Sequence, residues 1–248
     1  MQSIQIYINS RSADKFIDNN ISNAQYILPN INILDGYQIY LSLQKASIPY
    51  SFYNINYTNN TLTIFFNGQV YILTIPPGNY NINSLINELK SMLLDAGANF
   101  NITYDSITNK LKFEYSSEFS FYASSTILSI LGFNENTLYT STGFILRSPN
   151  CCNLMSVKCI NVSTNLTTYN INKQFPNSQN ILASIPVNAQ PYSIIQYENT
   201  NNFKSNIYTN YLSMINIQLL NDSDGKLIDL NGVHYSLTLQ LDIINFRE

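Results

Sequence analysis

The sequence predicts a mainly β protein: a single eight-stranded jelly-roll sandwich carrying a small inserted α+β domain. Three observations carry this expectation. Short runs alternate apolar and polar residues with period 2, broken by Asn, Gly, Pro and Asp. Eight such runs lie outside the middle of the chain, three before residue 50 and five after residue 150. Eight is the strand number of a jelly roll, two Greek keys closed into two sheets. Between them, residues 51–149 follow a ββ-α-βββ-α order with their own amphipathic helix.

The outer runs begin with IQIYI (4–8). QYILPNINIL (25–34) follows, and Pro29 marks an edge or a bulge because it lacks an N–H for the ladder. Asp35-Gly36 is a turn pair, and YQIYLSLQKASI (37–48) is a long alternating strand after it. After residue 150 the runs are MSVKCINVST (155–164), ILASIPV (181–187), YSIIQYE (192–198), LSMINIQLL (212–220) and HYSLTLQLDII (234–244). In the last run Tyr235, Leu237, Leu239 and Leu241 share one face.

The middle segment differs in texture. TLTIFF (61–66) and QVYILTI (69–75) flank Asn67-Gly68, the strongest short hairpin signal. SLINELKSMLLDAG (84–97) is a helix with one apolar stripe, Leu85, Ile86, Leu89, Met92 and Leu93. Asn81, Asn83 or Ser84 caps its start and Gly97 ends it. FNITYD (100–105) and KLKFEY (110–115) form a hairpin across Ser106 to Asn109, and EFSFYA (118–123) continues it. STILSIL (125–131) reads as a short helix ending at Gly132. The segment is too long for a loop, so residues 1–50 plus 150–248 are expected to form the jelly roll and 51–149 the inserted domain. The alternative is one irregular sandwich whose helices decorate loops.

Composition points to partners. Only 11% of the 248 residues are charged, against about 25% in a typical soluble domain. Tyr (19) and Phe (13) are abundant and Trp is absent. Asn, Ile and Tyr have A/T-rich codons, but that bias also raises Lys, and Lys plus Arg number only 12. Surfaces buried against other proteins lose Lys, Glu and Asp and gain Tyr and Phe. A multi-subunit assembly is therefore expected over a neutral, Asn/Ser/Thr-covered monomer. The net charge is −3 with scattered cations, so direct nucleic-acid binding is not expected.

Cys151, Cys152 and Cys159 are an odd set for a long chain, which points to a reducing compartment rather than a disulfide framework. MQSIQIYINS lacks the basic and apolar regions of a signal peptide, and no apolar run reaches 18 residues, so no transmembrane segment is expected. Asn-x-Ser/Thr triplets at Asn20, Asn56, Asn101, Asn161 and Asn165 carry little weight in so Asn-rich a chain.

Candidate chemistry is sparse. His234 is the sole histidine, so a Cys-His or Ser-His pair has one base to draw on. The cysteines do not form CxxC, and one His cannot complete a usual zinc set with them. GxxxxGK[ST], GxGxxG and GxSxG are absent from the sequence. Glu114 and Glu118 have no spacing logic of a carboxylate pair. NDSDGKLIDLNG (221–232) resembles a calcium loop, since Asp222, Asp224 and Gly225 fit its middle. With Gly225 at position 6, Leu220 and Asn231 fall where the first and last acidic ligands belong. Asp-Gly is then turn chemistry, and Asp222, Asp224 and Asp229 are not expected to hold a metal. No catalytic, cofactor-binding or metal residue is expected, and the chain is read as not an enzyme.

Several phrases, taken in order, carry a family resemblance. They include INSRSADKFIDN (8–19), LSLQKASIPYSFYNI (41–55), IPPGNYNINSLINEL (75–89), TYDSITNKLKFEY (103–115) and ILGF (130–133). SPNCCNLMSVKCINVSTNL (148–166), ILASIPVNAQPYSIIQYEN (181–199) and INIQLLNDSDGKLIDLNGVHYSLTLQLDI (215–243) complete the set. Together they resemble the penton, or minor capsid, proteins of virophages, polinton-like viruses and related giant DNA viruses. Cys151-Cys152 departs from the small aliphatic residues expected there. The resemblance implies a homopentamer closing the five-fold vertices of an icosahedral capsid. It implies double-jelly-roll major capsid proteins as neighbours and a virion location, with assembly in the host cell cytoplasm. It implies an interface rather than a pocket as the site. Two other readings compete: a viral attachment or carbohydrate-binding jelly-roll module, and an enzyme on a cupin-like jelly roll, which needs several His and carboxylate ligands.

Overall fold

Period-2 alternation becomes two-faced strands throughout. The computed structural model describes residues 2–33, 36–166 and 180–245. In chain order the regular elements open with β1 (Gln2–Asn9), β2 (Lys15–Phe16), β3 (Asn23–Asn32), β4 (Tyr37–Pro49), β5 (Thr61–Phe66) and β6 (Gln69–Thr74). The helix α1 (Ile82–Asp95) comes next, then β7 (Asn101–Asp105), β8 (Lys110–Glu114), β9 (Phe119–Phe121), β10 (Tyr139–Thr140) and β11 (Ile145–Arg147). The remainder are β12 (Cys159–Thr164), β13 (Ile181–Pro186), β14 (Ile194–Glu198), β15 (Ser205–Ile207), β16 (Tyr211–Asn221) and β17 (Ser236–Asn245). The protein is mainly β.

The chain divides into two compact units, Met1–Phe52 with Val157–Glu248, and Tyr53–Ser156. The first unit holds two antiparallel sheets. One runs β1-β17-β4-β14, with β15 also on β4, and the other runs β13-β12-β16-β3-β2. Their alternate residues meet in one core: Leu41, Leu43, Leu239 and Leu241 from the first sheet, Ile160, Val162, Ile215 and Ile217 from the second. Each is at most 1% exposed, and full burial of such a side chain is worth about 1.5–3 kcal/mol. Pro29 lies where expected, at an irregularity: Met214 pairs Ile27 while Leu212 pairs Ile31, so the β3 strand carries extra residues around the proline. Of the expected Asp35-Gly36 turn, Asp35 lies outside the described residues, as does Leu34 at the end of the expected 25–34 strand.

The second unit packs α1 on two smaller antiparallel sheets, β10-β9-β5-β6 and β11-β8-β7. The helix begins at Asn81, whose side chain accepts from the Ser84 N–H while the Ser84 hydroxyl accepts from the Asn81 N–H. That reciprocal capping box satisfies two amides that the helix cannot. Leu85, Ile86, Leu89 and Leu93 are buried, as the stripe predicts. Asn67 and Gly68 both take positive φ, 50° and 79°, the two-residue turn that matches strand twist. Six phenylalanines fill much of this core, with Phe113 edge-on to Phe121 at 4.9 Å and Phe121 edge-on to Phe133 at 5.4 Å.

Three expectations change. STILSIL (125–131) is not a regular helix but a set of turns, anchored by Leu131 N–H to Ile127 O and Phe133 N–H to Leu128 O. Its apolar spacing arises because Ile127, Leu128 and Leu131 all enter the core. His234 does not open the last strand, which starts at Ser236. The short strands β2, β10, β11 and β15 were not expected, because two or three residues cannot display a period.

Gly132 has φ +83°, and a Cβ there would lie 2.4 Å from the Asn150 carbonyl oxygen. Gly132→Ala is therefore expected to destabilise this unit strongly. Phe113→Ala is expected to cost it about 3–5 kcal/mol. Urea titration followed by tyrosine fluorescence and circular dichroism measures both; retention of parental midpoints contradicts this account of the core.

Candidate functional site

In the stretch 221–243 each carboxylate is used locally. Asp222 Oδ1 accepts from the backbone N–H groups of Lys158 (3.2 Å) and Cys159 (3.1 Å). Asp224 Oδ1 accepts from the Lys226 N–H at 3.0 Å, and Asp229 Oδ1 from the Asn231 N–H at 2.8 Å. Gly225 takes φ +68°, and Leu220 bridges Leu227 across the turn. Asn231 and Gly232 form a second positive-φ turn. The stretch is a strand, a turn, a short return, another turn and a strand.

His234 lies just before β17, half-buried. Its Nδ1 is 2.8 Å from Ser10 Oγ, and Ser10 Oγ also accepts from the Tyr235 N–H at 3.0 Å. The serine oxygen thus holds both the Tyr235 amide and the His234 ring nitrogen Nδ1. Ser10 is fully buried, so this Ser-His contact holds a ring in place and does not present a nucleophile. His234 lines a cavity of about 530 Å³ within the first unit. Arg11, Tyr50, Tyr192, Val233 and Ser236 also line it.

The cysteines are all free. Burial, with a smaller contribution from Cys151, pushes the Cys152 thiol up to about 11, so it is a thiol and a poor nucleophile near neutrality. Glu114 and Glu118 do not act as a pair. Glu114 binds Lys112 Nζ at 3.0 Å and Asn101 Nδ2 at 2.8 Å, whereas Glu118 is exposed.

Asp242 is a fully buried carboxylate on β17, missed as a candidate although an acid inside the alternating LQLDII was a visible signal. It receives Ser3 Oγ at 2.6 Å, Gln240 Nε2 at 2.8 Å and the Lys204 ammonium. Burial alone raises its pKa, but these donors, Lys204 first, outweigh it and leave the value below the ordinary carboxylate range. Ser3, Gln240 and Asp242 sit on β1 and β17, so the network pins neighbouring strands.

The surface is aromatic and poor in charge. In the first unit Tyr7 is 76% exposed and Tyr192 81%, with Ile27, Phe203, Tyr208 and Tyr211 also exposed. Among the described residues β1 is an edge strand of eight residues with no charge, no proline and no break in its register to β17. Such an edge lacks the usual protection against pairing with another chain.

No family model matches the chain, and no curated protein matches it either. Among solved structures it is similar to the selenomethionine-labelled mavirus penton protein. That likeness covers 98% of this chain and 100% of that one, with a TM-score of 0.53 and 11% sequence identity. The fold is that of a penton protein. The expectation drawn from the ordered phrases is met at the level of fold, although identity is low.

Asp242→Asn is expected to lower stability by about 1–3 kcal/mol, since it weakens bonds to buried donors and leaves Lys204 unpaired. A carboxyl with a lowered folded pKa adds stability above its unfolded value, about 3.9, and loses it as pH falls through the folded value. The parent should therefore lose this contribution below about pH 4, and the variant should show a flatter acid limb. Thermal melts from pH 2.5 to 7 test this; parallel acid limbs contradict it. Tyr192→Gly is expected to raise or preserve the melting temperature, because Tyr192 holds φ +68°, a conformation costing about 1–2 kcal/mol outside glycine.

Proposed function

We propose that the chain is a structural capsid protein, a penton that forms pentamers at the five-fold vertices of an icosahedral capsid. The observation that carries this reading is a penton fold shared over nearly the whole of both chains. The topology supports it. Numbered in sequence, the eight long strands β1, β3, β4, β12, β13, β14, β16 and β17 give sheet orders 1-8-3-6 and 5-4-7-2. Two Greek keys closed into a jelly roll would pair their strands in this order, which supports the jelly-roll reading. In this reading residues 1–50 and 150–248 form the jelly-roll domain and 51–149 an inserted α+β domain, displayed as decoration or attachment point.

A closed ring needs one patch to meet a different patch on the next subunit. The uncharged β1 edge and the exposed tyrosines supply apolar, low-charge surface of the kind such contacts use. The neighbours in this reading are double-jelly-roll major capsid proteins, the location is the virion, and assembly takes place in the host cytoplasm. The role requires no enzyme activity, no cofactor and no direct contact with nucleic acid.

Sedimentation and native mass measurement of the purified protein, alone and mixed with major capsid trimers, test the assembly. Five-fold rings are expected, and Tyr7→Lys is expected to weaken them by about tenfold in concentration, equivalent to about 1.4 kcal/mol. A strict monomer under both conditions sinks the vertex role.

A further inference from the structure

The cavity beside His234 has three features that a capsid contact does not require. First, its charge is one-sided. Arg11 and His234 line it, no Asp or Glu does, and the Arg11 guanidinium has no ion-pair partner among the described residues. Second, the buried Ser10 holds His234 Nδ1 at 2.8 Å and so fixes the imidazole in the cavity wall. The cavity is thus edged by an arginine and a fixed histidine. Third, Tyr192 stands at its rim in a left-handed conformation, φ +68°, with its side chain 81% exposed. Its backbone is locked there: Tyr192 N–H donates to Tyr50 O, and Tyr50 N–H donates to Ser193 O, both at 2.9 Å. Strained residues of this kind gather at ligand clamps, and folding alone gains nothing from an exposed ring so held.

The remaining walls narrow the ligand. Ser47 and Ser236 face each other across the β4–β17 ladder and place two hydroxyls side by side. The nearby backbone is already paired, Pro49 with Ile194 and Asn9 with Ser236. Ser236 pairs with both Asn9 and Ser47, and Ser47 also with Gln196, so at these two positions a ligand meets side chains rather than open backbone. The volume, about 530 Å³, is that of a small-molecule site. A flat aromatic rim, clustered hydroxyls and an unpaired guanidinium suit one ligand chemistry: a pyranose bearing a carboxylate.

We propose that this cavity binds the acidic terminal sugar of a glycan. The carboxylate meets Arg11 and His234, a ring face lies against Tyr192, and sugar hydroxyls bond Ser47 and Ser236. The site stands on its own geometry and does not depend on the vertex role.

Saturation-transfer NMR on the full chain tests it with four probes. They are the methyl glycosides of N-acetylneuraminic acid and glucuronic acid, neutral methyl galactoside, and an acetylated dipeptide with a free carboxylate. Saturable binding of at least one acidic glycoside is expected, with neither the galactoside nor the dipeptide competing. Arg11→Ala and Tyr192→Gly should each weaken it by about tenfold or more, the scale of one lost charge-assisted contact. Arg147→Ala, in the other unit, should leave it unchanged. Both substituted side chains are exposed, so melting temperatures at or above the parental value confirm that the variants are folded. Equal binding of the neutral sugar or the dipeptide overturns the proposal, as does parental affinity in both cavity variants, or no binding to any acidic glycoside.

Discussion

The first unit depends on β17 being sandwiched between β1 and β4. β17 pairs with both neighbours over most of its length. Its inward residues, Leu237, Leu239 and Leu241, sit at the centre of the core. Its outward residue Asp242 gathers Ser3, Gln240 and Lys204 on the opposite face. A one-residue slip would turn the leucines out and drive the carboxylate into the core. Apolar burial and a buried charge thus enforce the same register from opposite faces, and the cavity beside His234 exists because that register places Ser236 opposite both Asn9 and Ser47.

Legibility followed the range of the interaction. The Asn81 cap, the Asn67-Gly68 turn and the helix stripe are local, with partners within a few residues, so the sequence displays them. Alternation is local too, and it revealed the long strands. The two- and three-residue strands exist only because distant partners supply a ladder. In 125–131 a helical spacing of Ile127, Leu128 and Leu131 came from entry into a shared core, not from helical hydrogen bonds. The cavity was hidden for the same reason: its walls come from four stretches, around Arg11, Tyr50, Tyr192 and His234. Only Asp242 left a readable trace, as an acid in a run that otherwise alternates.

The calcium-like stretch shows how one residue type serves two grammars. Asp in a turn and Asp in a metal loop both offer oxygens to positive partners. Here the partners are backbone N–H groups of Lys158, Cys159, Lys226 and Asn231. What separates the two uses is where the next acid falls, and Leu220 and Asn231 occupy those places.

The interrupted chain of the first unit also sets an order of events during synthesis. Tyr53–Ser156 is contiguous, so it is complete when its last residue leaves the ribosome. The strands β1, β3 and β4 emerge earlier, yet their partners β14, β16 and β17 are translated last. β1, β4 and the side of β3 away from β2 must wait unpaired while roughly half the chain is made, with apolar faces and an uncharged edge open to other nascent copies. Chain elongation is slow beside hairpin formation, so this waiting period, more than the final stability, is where a neighbouring polysome or a chaperone has the chance to intervene.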